Sequence, residues 1–341
     1  MSDQERDLHD LDLLLRGFQI SRLLRLAADL GMADRIAATG SRSMAELAAE
    51  CGVLPVQLTR VVRALAAFGI FQLSPDATVS HSPRSLLLRS DHPRTMHYAA
   101  RFWTGPGSWK AWAQIDAAMT GGSPHEAAWG MGRFDYLRHH PEEARVFDDM
   151  MAHFPGNRHA AVADAYDFSH ARLIADVGGG NGAALRHILA RFPDVRGVVF
   201  DREDVVAALT SEDLMQGRIS AAGGDFFERA PTGADMYLLN RVLHDWNDEA
   251  CIRILETCRR SMESAGTLLI IDEILEPDPS RGKPASYLID AHMMAMFGEA
   301  RERTQSEFQD LLSRADFAIS NVIATRSPVS IVEAKPVARA G

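Results

Sequence analysis

Apolar residues recur at intervals of three and four along the first thirty positions of the chain. On a helix of 3.6 residues per turn this spacing places them on one stripe. A stripe of this width has to be covered, and we expect a partner chain to cover it. Its members are Leu8, Leu11, Leu14, Leu15, Phe18, Leu23, Leu26 and Leu30.

The next segment has the pattern of a helix-turn-helix. Ser43 is followed three residues later by Glu46, which is the signature of a capping box at the start of a helix. Gly52 and Pro55 mark a turn, and a second helical period ends at Gly69. The segment therefore predicts two short helices joined by a tight turn.

A short alternating stretch follows at 71–83, with a turn predicted at Pro75 and Asp76. Together with the two helices it predicts a winged helix. If this unit bound DNA, its second helix would present several polar or basic side chains to the groove. Only Gln57, Thr59, Arg60 and Arg63 qualify. We therefore favour a packing role, and a ligand-sensing regulator stays as an alternative.

The segment 101–170 combines helical pieces with glycine-rich breaks and many large apolar side chains. Most such residues form ordinary core, but together they can line a pocket for a flat apolar ligand. We expect Trp103, Met151 and Phe154 to be among the lining residues. The full set is Phe102, Trp103, Trp109, Trp112, Trp129, Phe134, Phe147, Met150, Met151 and Phe154.

From residue 171 onward, apolar strands alternate with helical periods. This alternation predicts an α/β fold, a Rossmann-like, doubly wound, parallel sheet of seven strands. Ligands of such sheets bind at the carboxyl ends of the strands. The predicted domains are 1–100, 101–170 and 171–341. The predicted strands are 172–177, 197–201, 218–227, 234–240, 266–275, 317–326 and 328–335.

Composition narrows the function classes. The formal net charge of −10 works against broad attraction to nucleic acid. The three cysteines, Cys51, Cys251 and Cys258, form no CxxC pair, so neither a disulfide scaffold nor a zinc cage is indicated. The polar, acidic first residues are unlike a signal peptide, and no apolar run approaches the ~18 residues of a membrane span. We expect a cytoplasmic protein without nucleic-acid or membrane partners.

The first strand of the α/β region runs into the glycine-rich loop DVGGGNGAAL at 176–185. Gly178 and Gly180 permit close approach of a nucleotide-like group to the following helix N-terminus. Asp201, at the end of the next strand, is placed to bind the hydroxyls of a ribose. With Ala183 the loop also fits the fingerprint GxGxxG/A, so a nicotinamide dehydrogenase remains an alternative on the loop alone.

Three carboxyl and aromatic side chains favour a different cofactor. Asp176 would repel a pyrophosphate but suits a site facing an ammonium and a sulfonium. Asp225 and Phe226, at the end of the third strand, offer a carboxylate for an adenine amino group and a ring for its face. The order of these residues is that of an adenosine site.

The motifs DVGGGNG, VVFD, GGDFF, LNRVLHDWNDE, IIDEILEPD and ARERTQSEFQDLL carry a resemblance. Residues 170–335 resemble the catalytic domain of the S-adenosylmethionine-dependent O-methyltransferases of the plant caffeate and isoflavone type and of bacterial antibiotic pathways. The N-terminal winged helix is similar to the dimerisation domain of that family. The resemblance implies S-adenosylmethionine as cofactor and a homodimer in which each subunit lends residues to the pocket of the other.

His244 is the predicted catalytic base. A phenol with a pKa near ~10 is mostly neutral at pH 7 and has to lose its proton before it attacks a methyl group. A neutral imidazole, oriented by a carboxylate on its other nitrogen, can take that proton. The resemblance implies that Glu273 and Glu302 are the glutamates flanking this histidine. It also implies that Asp245 lies beside the acceptor and that Trp246 lines the adenosine side.

Two positions differ from the plant enzymes of the family. Asn240 stands where those enzymes have a lysine, followed by Arg241, so the contact to the adenine side is altered. We expect both residues to bind the cofactor. In the acceptor pocket, Met293 matches a family methionine, but Phe297 replaces a side chain that is often polar, so specificity for phenylpropanoids does not transfer.

The sequence thus predicts a homodimeric methyltransferase that modifies a hydroxyl of a small aromatic molecule. A carbon or nitrogen acceptor on the same fold is the alternative. We expect no metal, although His292 with His244 and Asp245 would supply ligands suited to iron, as in an unusual C-methylating relative.

Overall fold

The computed structural model describes residues 2–153 and 158–337. The strands are β1 (Ser41–Ser43), β2 (Phe71–Leu73), β3 (Thr78–His81), β4 (Leu173–Val177), β5 (Arg196–Asp201), β6 (Ile219–Gly223), β7 (Met236–Asn240), β8 (Thr267–Asp272), β9 (Ile274–Leu275), β10 (Arg303–Thr304), β11 (Phe317–Ala324) and β12 (Ser330–Pro336). Turns of 3₁₀-helix lie at Ile115–Thr120, Met215–Gly217 and Leu243–Asp245.

The α-helices alternate with these strands in the second half of the chain. They are α1 (Asp3–Leu15), α2 (Gly17–Asp29), α3 (Met32–Arg35), α4 (Met44–Cys51), α5 (Pro55–Ala67), α6 (Pro83–Leu86), α7 (His97–Trp103), α8 (Pro106–Trp112), α9 (Pro124–Trp129), α10 (Arg133–His139), α11 (Pro141–Ala152), α12 (Arg158–Ala165), α13 (Ala183–Arg191), α14 (Glu203–Val206), α15 (Asp248–Ser261), α16 (Pro284–Phe297) and α17 (Gln305–Arg314).

The chain folds into two compact units, and the segment predicted as a connector contributes to both. The first unit comprises residues 1–110 and 134–155, and the second comprises 111–133 and 156–341. The helices α7 and α11 thus belong to the first unit, whereas α9 belongs to the second. Such a division arises because the chain leaves the core of the first unit and later returns to it. Hydrophobic periodicity does not show where the chain returns.

The first unit contains the predicted winged helix. The Ser43 hydroxyl accepts the Glu46 N–H at 3.2 Å, and the Glu46 carboxylate accepts the Ser43 N–H at 3.1 Å. This capping box starts α4, and Gly52 ends that helix in the left-handed conformation with φ +67°. Pro55 is the first residue of α5, where its missing N–H costs nothing. Both predicted helices are confirmed, although α5 ends at Ala67, two residues before the predicted end at Gly69.

The predicted hairpin is confirmed, and a third strand joins it. β2 and β3 pair antiparallel, and β1 pairs with the other edge of β3 through Ser41 and Ser80. The strand β1 was missed because three polar residues carry no apolar alternation. Buried residues beneath this sheet form the core of the unit: Met32, Ile36, Leu47, Leu58, Val62, Leu65, Phe71 and Val79.

The first part of the predicted apolar stripe, in α1 and at Phe18, lies on the surface of the single chain, whereas Leu23 and Leu30 pack against the core of the first unit. Leu8 is 71% exposed, Leu14 76% and Phe18 55%, and α1 has no buried residue. Scattered exposed leucines are ordinary, but a continuous stripe of them on one helix marks an interaction surface.

The second unit is built on a seven-stranded sheet of order β11-β12-β8-β7-β4-β5-β6. All seven predicted strands are present. The strands β6, β5, β4, β7 and β8 run parallel, whereas β12 runs antiparallel to both β8 and β11. The expectation of a parallel sheet is therefore wrong for β12. A five-residue connection from Ala324 to Ser330 is too short for a parallel crossover, so the chain turns back on itself.

Helices cover both faces of this sheet, as a doubly wound fold requires. Along β7, Tyr237 and Leu239 pack on one face with α15 and α17, and Met236 and Leu238 pack on the other with α13. This alternation follows from the two-residue period of a strand. The parallel strands deliver their carboxyl ends to one edge of the sheet, and the loops that follow them are the candidate site.

No helix among residues 2–153 and 158–337 combines the length and the apolar character that crossing a membrane would need.

The capping box gives a direct test of the first unit. We expect Ser43→Ala to lower the free energy of unfolding by ~1 kcal/mol, because α4 loses a bond to an N–H that no helical carbonyl satisfies. The loss would appear as a lower denaturant midpoint in circular dichroism. The control is Ser41→Ala, which changes an exposed serine of the same strand. Equal midpoints for the two variants would contradict the assignment.

Candidate active site

The loop after β4 has a shape that only glycine permits. Gly178 adopts φ +74° and Gly180 φ +53°. A Cβ on Gly178 would lie 2.8 Å from Val242 Cγ2, closer than packed atoms allow. The loop then enters α13, whose first N–H groups face the same edge of the sheet. It thus leaves an open backbone surface where a ligand can approach closely.

Asp201 ends β5 and closes the same loop. Its Oδ2 accepts the Gly180 N–H at 2.9 Å, and its Oδ1 accepts the Arg202 N–H at 2.8 Å. A carboxylate has about four lone-pair sites, so two of these remain for ligand hydroxyls. The two bonds fix the orientation of the carboxylate, as the binding of a ribose requires.

Asp176 is a buried carboxylate without a counter-charge. Its side chain is 0% exposed, and neither carboxylate oxygen has a hydrogen-bond partner among residues 2–153 and 158–337. Burial, reinforced by the negative charge of Asp201, raises the pKa of Asp176 to about 7. A Cβ on Gly179 would lie 2.8 Å from its Cγ, so the loop folds directly over the acid. A cationic ligand would satisfy this group, and S-adenosylmethionine carries both an ammonium and a sulfonium.

Aromatic rings line the edge next to the glycine loop. Phe226 and Trp246 meet edge to face with centroids 5.9 Å apart, and an atom of the Phe226 ring lies 3.7 Å from where a Gly178 Cβ would be. Asp225 is exposed at the rim and accepts the Phe227 N–H at 2.8 Å. The structure therefore brings the residues predicted for the adenosine side to one place.

Asn240, the last residue of β7, also ends at this edge. Its Oδ1 is buried and has no hydrogen-bond partner in the part of the chain that the structure describes, so it can accept a hydrogen bond from a ligand.

The predicted base lies in the 3₁₀ turn Leu243–Asp245, directly after β7. The side chain of His244 is 11% exposed. Its Nδ1 lies 3.0 Å from Oε1 of Glu302, and its Nε2 lies 3.3 Å from Oδ1 of Asp245. Both ring nitrogens thus face a carboxylate.

Arg241 lies against the same carboxylates. It pairs with Glu302 through two bonds, Nη2 to Oε1 at 2.8 Å and Nη1 to Oε2 at 3.1 Å, and its Nη1 lies 3.3 Å from Oδ1 of Asp272. The backbone of Arg241 is left-handed, with φ +58°, which is unfavourable for a residue with a long side chain. Arg241 was predicted to contact the cofactor, but its contacts here are with the carboxylates beside His244.

The charges of this cluster set its protonation states. Burial opposes ionisation of Glu302, but Arg241 and His244 outweigh it and hold the pKa of Glu302 at about 2. Burial raises the pKa of Asp272 to about 6, against the opposing effect of Arg241 and His244. Burial and Arg241 act to lower the pKa of His244, but Asp245 and Glu302 outweigh them, so that this pKa is raised. At neutral pH, Glu302 is ionised and stabilises a proton on the imidazole.

The two predicted flanking glutamates have different surroundings. Glu302 touches His244, whereas Glu273 is buried and accepts a hydrogen bond from the Ser286 hydroxyl of α16. Sequence reasoning missed Asp272, which contacts Arg241. Its place at the carboxyl end of β8 was the available signal, because polar residues at strand ends of this sheet are site candidates.

The predicted acceptor residues are divided between the two units. In the second unit, Met293 is buried on α16, and Phe297 packs with Trp112 and Ile115. In the first unit, Trp103 and Met151 belong to a cluster centred on Phe102, Val146 and Met150. Phe154 lies outside the described residues.

His292, the alternative metal ligand, accepts the Trp112 indole N–H on its Nδ1 at 3.2 Å. Burial, with the positive charge of Arg133 and His244 nearby, lowers its pKa to about 3. Among the described residues, the group whose ligand atoms converge within 4.8 Å is His244, Asp272 and Glu302. The guanidinium of Arg241 already supplies positive charge to both of these carboxylates.

Two sequence profiles match the chain. The profile of the O-methyltransferase domain matches residues 112–318, and that of the O-methyltransferase dimerisation domain matches residues 13–91. The chain belongs to the O-methyltransferase family. The resemblance inferred from the motifs is thereby confirmed, and the protein is an S-adenosylmethionine-dependent methyltransferase.

Known members of the family are similar over nearly the whole chain. A phenazine O-methyltransferase of Lysobacter antibioticus is 37% identical, covering 95% of this chain and 95% of its own. A phenazine-1-carboxylate N-methyltransferase of Pseudomonas aeruginosa is 34% identical, covering 89% and 90%. The solved structure of a methyltransferase of calicheamicin biosynthesis, in its S-adenosylhomocysteine-bound form, has a TM-score of 0.83 at 31% identity and covers 99% of this chain and 100% of its own.

The buried, unpaired carboxylate of Asp176 in this methyltransferase can be tested by its effect on stability. We expect Asp176→Asn to raise the melting temperature of the cofactor-free protein at pH 8, where wild-type Asp176 is ionised and buried. The pKa of Asp176 in the folded protein is about 7, which lies above the ordinary value near ~3.9 for an aspartate. The free-energy cost of burying the ionised carboxylate is therefore fully present above pH 7 and absent below that ordinary value. The advantage of the variant should therefore shrink as the pH falls from 8 towards 4, measured by scanning calorimetry.

The same variant should bind S-adenosylmethionine more weakly in titration calorimetry, because a cationic ligand loses its counter-charge. For the melting temperature, Asp201→Asn is the matched control. This variant should melt below wild type, because Asp201 accepts two backbone N–H groups. A melting temperature of Asp176→Asn at or below that of wild type at pH 8 would contradict the assignment.

Proposed function

We propose that this methyltransferase transfers the methyl group of S-adenosylmethionine to a hydroxyl of a small aromatic secondary metabolite, with His244 as general base. The observation that carries the proposal is the contact of 3.0 Å between His244 Nδ1 and the ionised Glu302. His244 lies on the turn after β7, at the sheet edge where the glycine loop and Asp176 also lie.

The cofactor side of the site is formed by residues of four strand ends. Asp176 would face the cationic part of S-adenosylmethionine, and Asp201 would accept its ribose hydroxyls. Phe226, with Trp246 beside it and Asp225 at the rim, would bind the adenine. The cofactor supplies an electrophilic methyl group on a sulfonium. The fit rests on the unpaired oxygens of Asp176 and on the close backbone approach at Gly178.

The base side follows from the tautomer that Glu302 selects. Because ionised Glu302 only accepts hydrogen bonds, Nδ1 of His244 carries a proton and donates a hydrogen bond to Oε1 of Glu302. The electron pair of the neutral ring is then on Nε2, which takes the proton of the acceptor hydroxyl. Glu302 and Asp245 stabilise the resulting imidazolium, and Arg241 limits this effect. Further acceleration comes from holding the oxygen in line with the methyl group.

An aromatic acceptor is supported by the apolar residues of α16. This helix packs against the turn that carries His244, and the buried Met293 lies about one turn before its end. Phe297 closes the helix. The similar phenazine methyltransferases are named for flat aromatic substrates. Apolar walls with few polar groups are the usual lining of sites for such molecules.

A homodimer is supported by the apolar stripe of α1. Its leucines are more than half exposed in the single chain, and the dimerisation profile begins at residue 13, within that helix. A second copy would cover the stripe and remove its apolar surface from water.

A nitrogen acceptor is the second candidate, favoured by the N-methyltransferase among the relatives. The two reactions can be told apart with 1-hydroxyphenazine, which offers a hydroxyl and a ring nitrogen in one molecule. Methyl-labelled cofactor and NMR of the product distinguish an O-methyl from an N-methyl signal. We expect the O-methyl product from a panel of hydroxyphenazines and hydroxybenzoates, and an exclusively N-methylated product would overturn that part of the proposal.

The role of the base is tested by His244→Gln. We expect turnover to fall by ~10²-fold or more, because proton removal is lost, while calorimetry shows S-adenosylmethionine binding retained. His139→Gln, which changes an exposed histidine of α10, should leave turnover unaltered. Wild-type turnover in His244→Gln would remove this residue as the base.

A further inference from the structure

Arg303 makes an unusual set of bonds around the turn that carries His244. Its side chain is 0% exposed, and it follows Glu302 directly in the chain. Its Nη1 donates to the carbonyl of Leu243 at 2.9 Å, and its Nη2 donates to the carbonyl of Trp246 at 2.8 Å. These carbonyls belong to the residue before His244 and to the residue that ends the turn.

The guanidinium is held in place from the other side by Asp248. Nε and Nη2 of Arg303 both contact Asp248 Oδ1, at 3.1 Å and 2.8 Å. The buried positive charge is thereby paired, as a charge in this position must be. Asp248 is the first residue of α15, so Arg303 links β10, the 3₁₀ turn and the start of α15.

This arrangement meets a specific need of the turn. Apart from Arg303, the Leu243 carbonyl accepts the Trp246 N–H at 3.3 Å and the Cys251 thiol at 3.1 Å, and the Trp246 carbonyl accepts the same thiol at 3.5 Å. A thiol is a weak donor, so Arg303 supplies the shortest N–H bond to each of these carbonyls. The planar fork of an arginine can donate to two carbonyls and a carboxylate at once, whereas an ammonium cannot reach all three. The backbone of the turn is thus fixed by a side chain and not by its own hydrogen bonds alone.

We propose that Arg303 is a positioning residue for catalysis, which fixes the backbone of the turn so that the ring of His244 meets Glu302 and the acceptor at the required distance. Glu302 orients the imidazole, and Arg303 orients the peptide that carries it, so two consecutive residues control one base. The proposal rests on the proposed function of His244. Through Trp246 the same contact also sets the wall of the cofactor side, since Trp246 packs on Phe226.

Arg301 provides a matched control for Arg303. It also pairs with Asp248, at 2.7 Å, and with Glu307, at 2.8 Å, but its side chain is 41% exposed. Replacing Arg301 therefore removes a guanidinium from the same aspartate, while the two carbonyls of the turn keep their donor. A general loss of charge or of packing around Asp248 should affect both variants, whereas loss of positioning should affect only the Arg303 variant.

The experiment compares Arg303→Met, Arg303→Lys and Arg301→Met in the full-length protein. We expect kcat with 1-hydroxyphenazine to fall by ~10²-fold in Arg303→Met, because a catalytic group misplaced by ~1 Å loses about that much. Arg303→Lys should recover part of the loss, and KM for S-adenosylmethionine should change far less than kcat. Arg301→Met should keep wild-type kcat.

Hydrogen exchange followed by mass spectrometry gives a readout that needs no acceptor. Exchange of the peptide spanning 242–247 should rise in Arg303→Met, since the Asp245 and Trp246 N–H bonds lie within the turn. It should stay at the wild-type level in Arg301→Met. If Arg303→Met does not fold, Arg303→Lys decides, because it keeps the charge and loses the fork.

Unchanged exchange in the folded Arg303 variant, wild-type kcat, or equal loss in Arg301→Met would overturn the proposal. Failure of the proposed function would look different. His244→Gln would then keep wild-type turnover, whatever the exchange behaviour of the turn.

Discussion

The candidate active site depends on one buried carboxylate that contacts both an imidazole and a guanidinium. Oε1 of Glu302 lies 3.0 Å from His244 Nδ1 and 2.8 Å from Arg241 Nη2. Without the arginine, a fully buried glutamate would raise its own pKa and lose the charge that orients the imidazole. Without the glutamate, Arg241 would be left with Asp272 alone and would repel a proton on His244. The geometry of the His244 side chain is therefore a consequence of charge balance in a buried region.

The sheet explains how this cluster and the cofactor side come to share one edge. Residues of β4 and β7 pair in parallel register, so Asp176 lies opposite Leu238, two residues before Asn240. The glycine loop follows β4, and the turn that carries His244 follows β7. One strand end therefore presents the unpaired carboxylate of Asp176, and its neighbour presents an imidazole held by carboxylates. The reaction that we propose, transfer of a methyl group from a cation to a deprotonated oxygen, would use both.

The sequence predicted the fold well, because the fold depends on local signals. Glycines with positive φ, a capping box and the alternation of strands and helices can be read from neighbouring residues. The family resemblance implied Glu302 beside His244, but the other contacts of this cluster could not be read from neighbouring residues. Arg241 follows Asn240 in the chain, but its left-handed backbone turns its side chain towards Glu302, sixty-one residues away. Asp272 and Arg303 likewise make contacts between segments that are distant in the chain. The antiparallel direction of β12 follows from the short connection between β11 and β12.

A nitrogen-15 NMR titration of the His244 imidazole tests the shared carboxylate most directly. In the wild-type protein we expect a pKa above the ordinary value near ~6.5, because Asp245 and Glu302 stabilise the imidazolium. In Glu302→Gln this pKa should fall clearly, because the negative charge is removed while Arg241 remains. Glu273→Gln, which changes a buried glutamate bonded to Ser286, should shift it much less. A pKa of His244 that is the same in Glu302→Gln as in wild type would contradict the account.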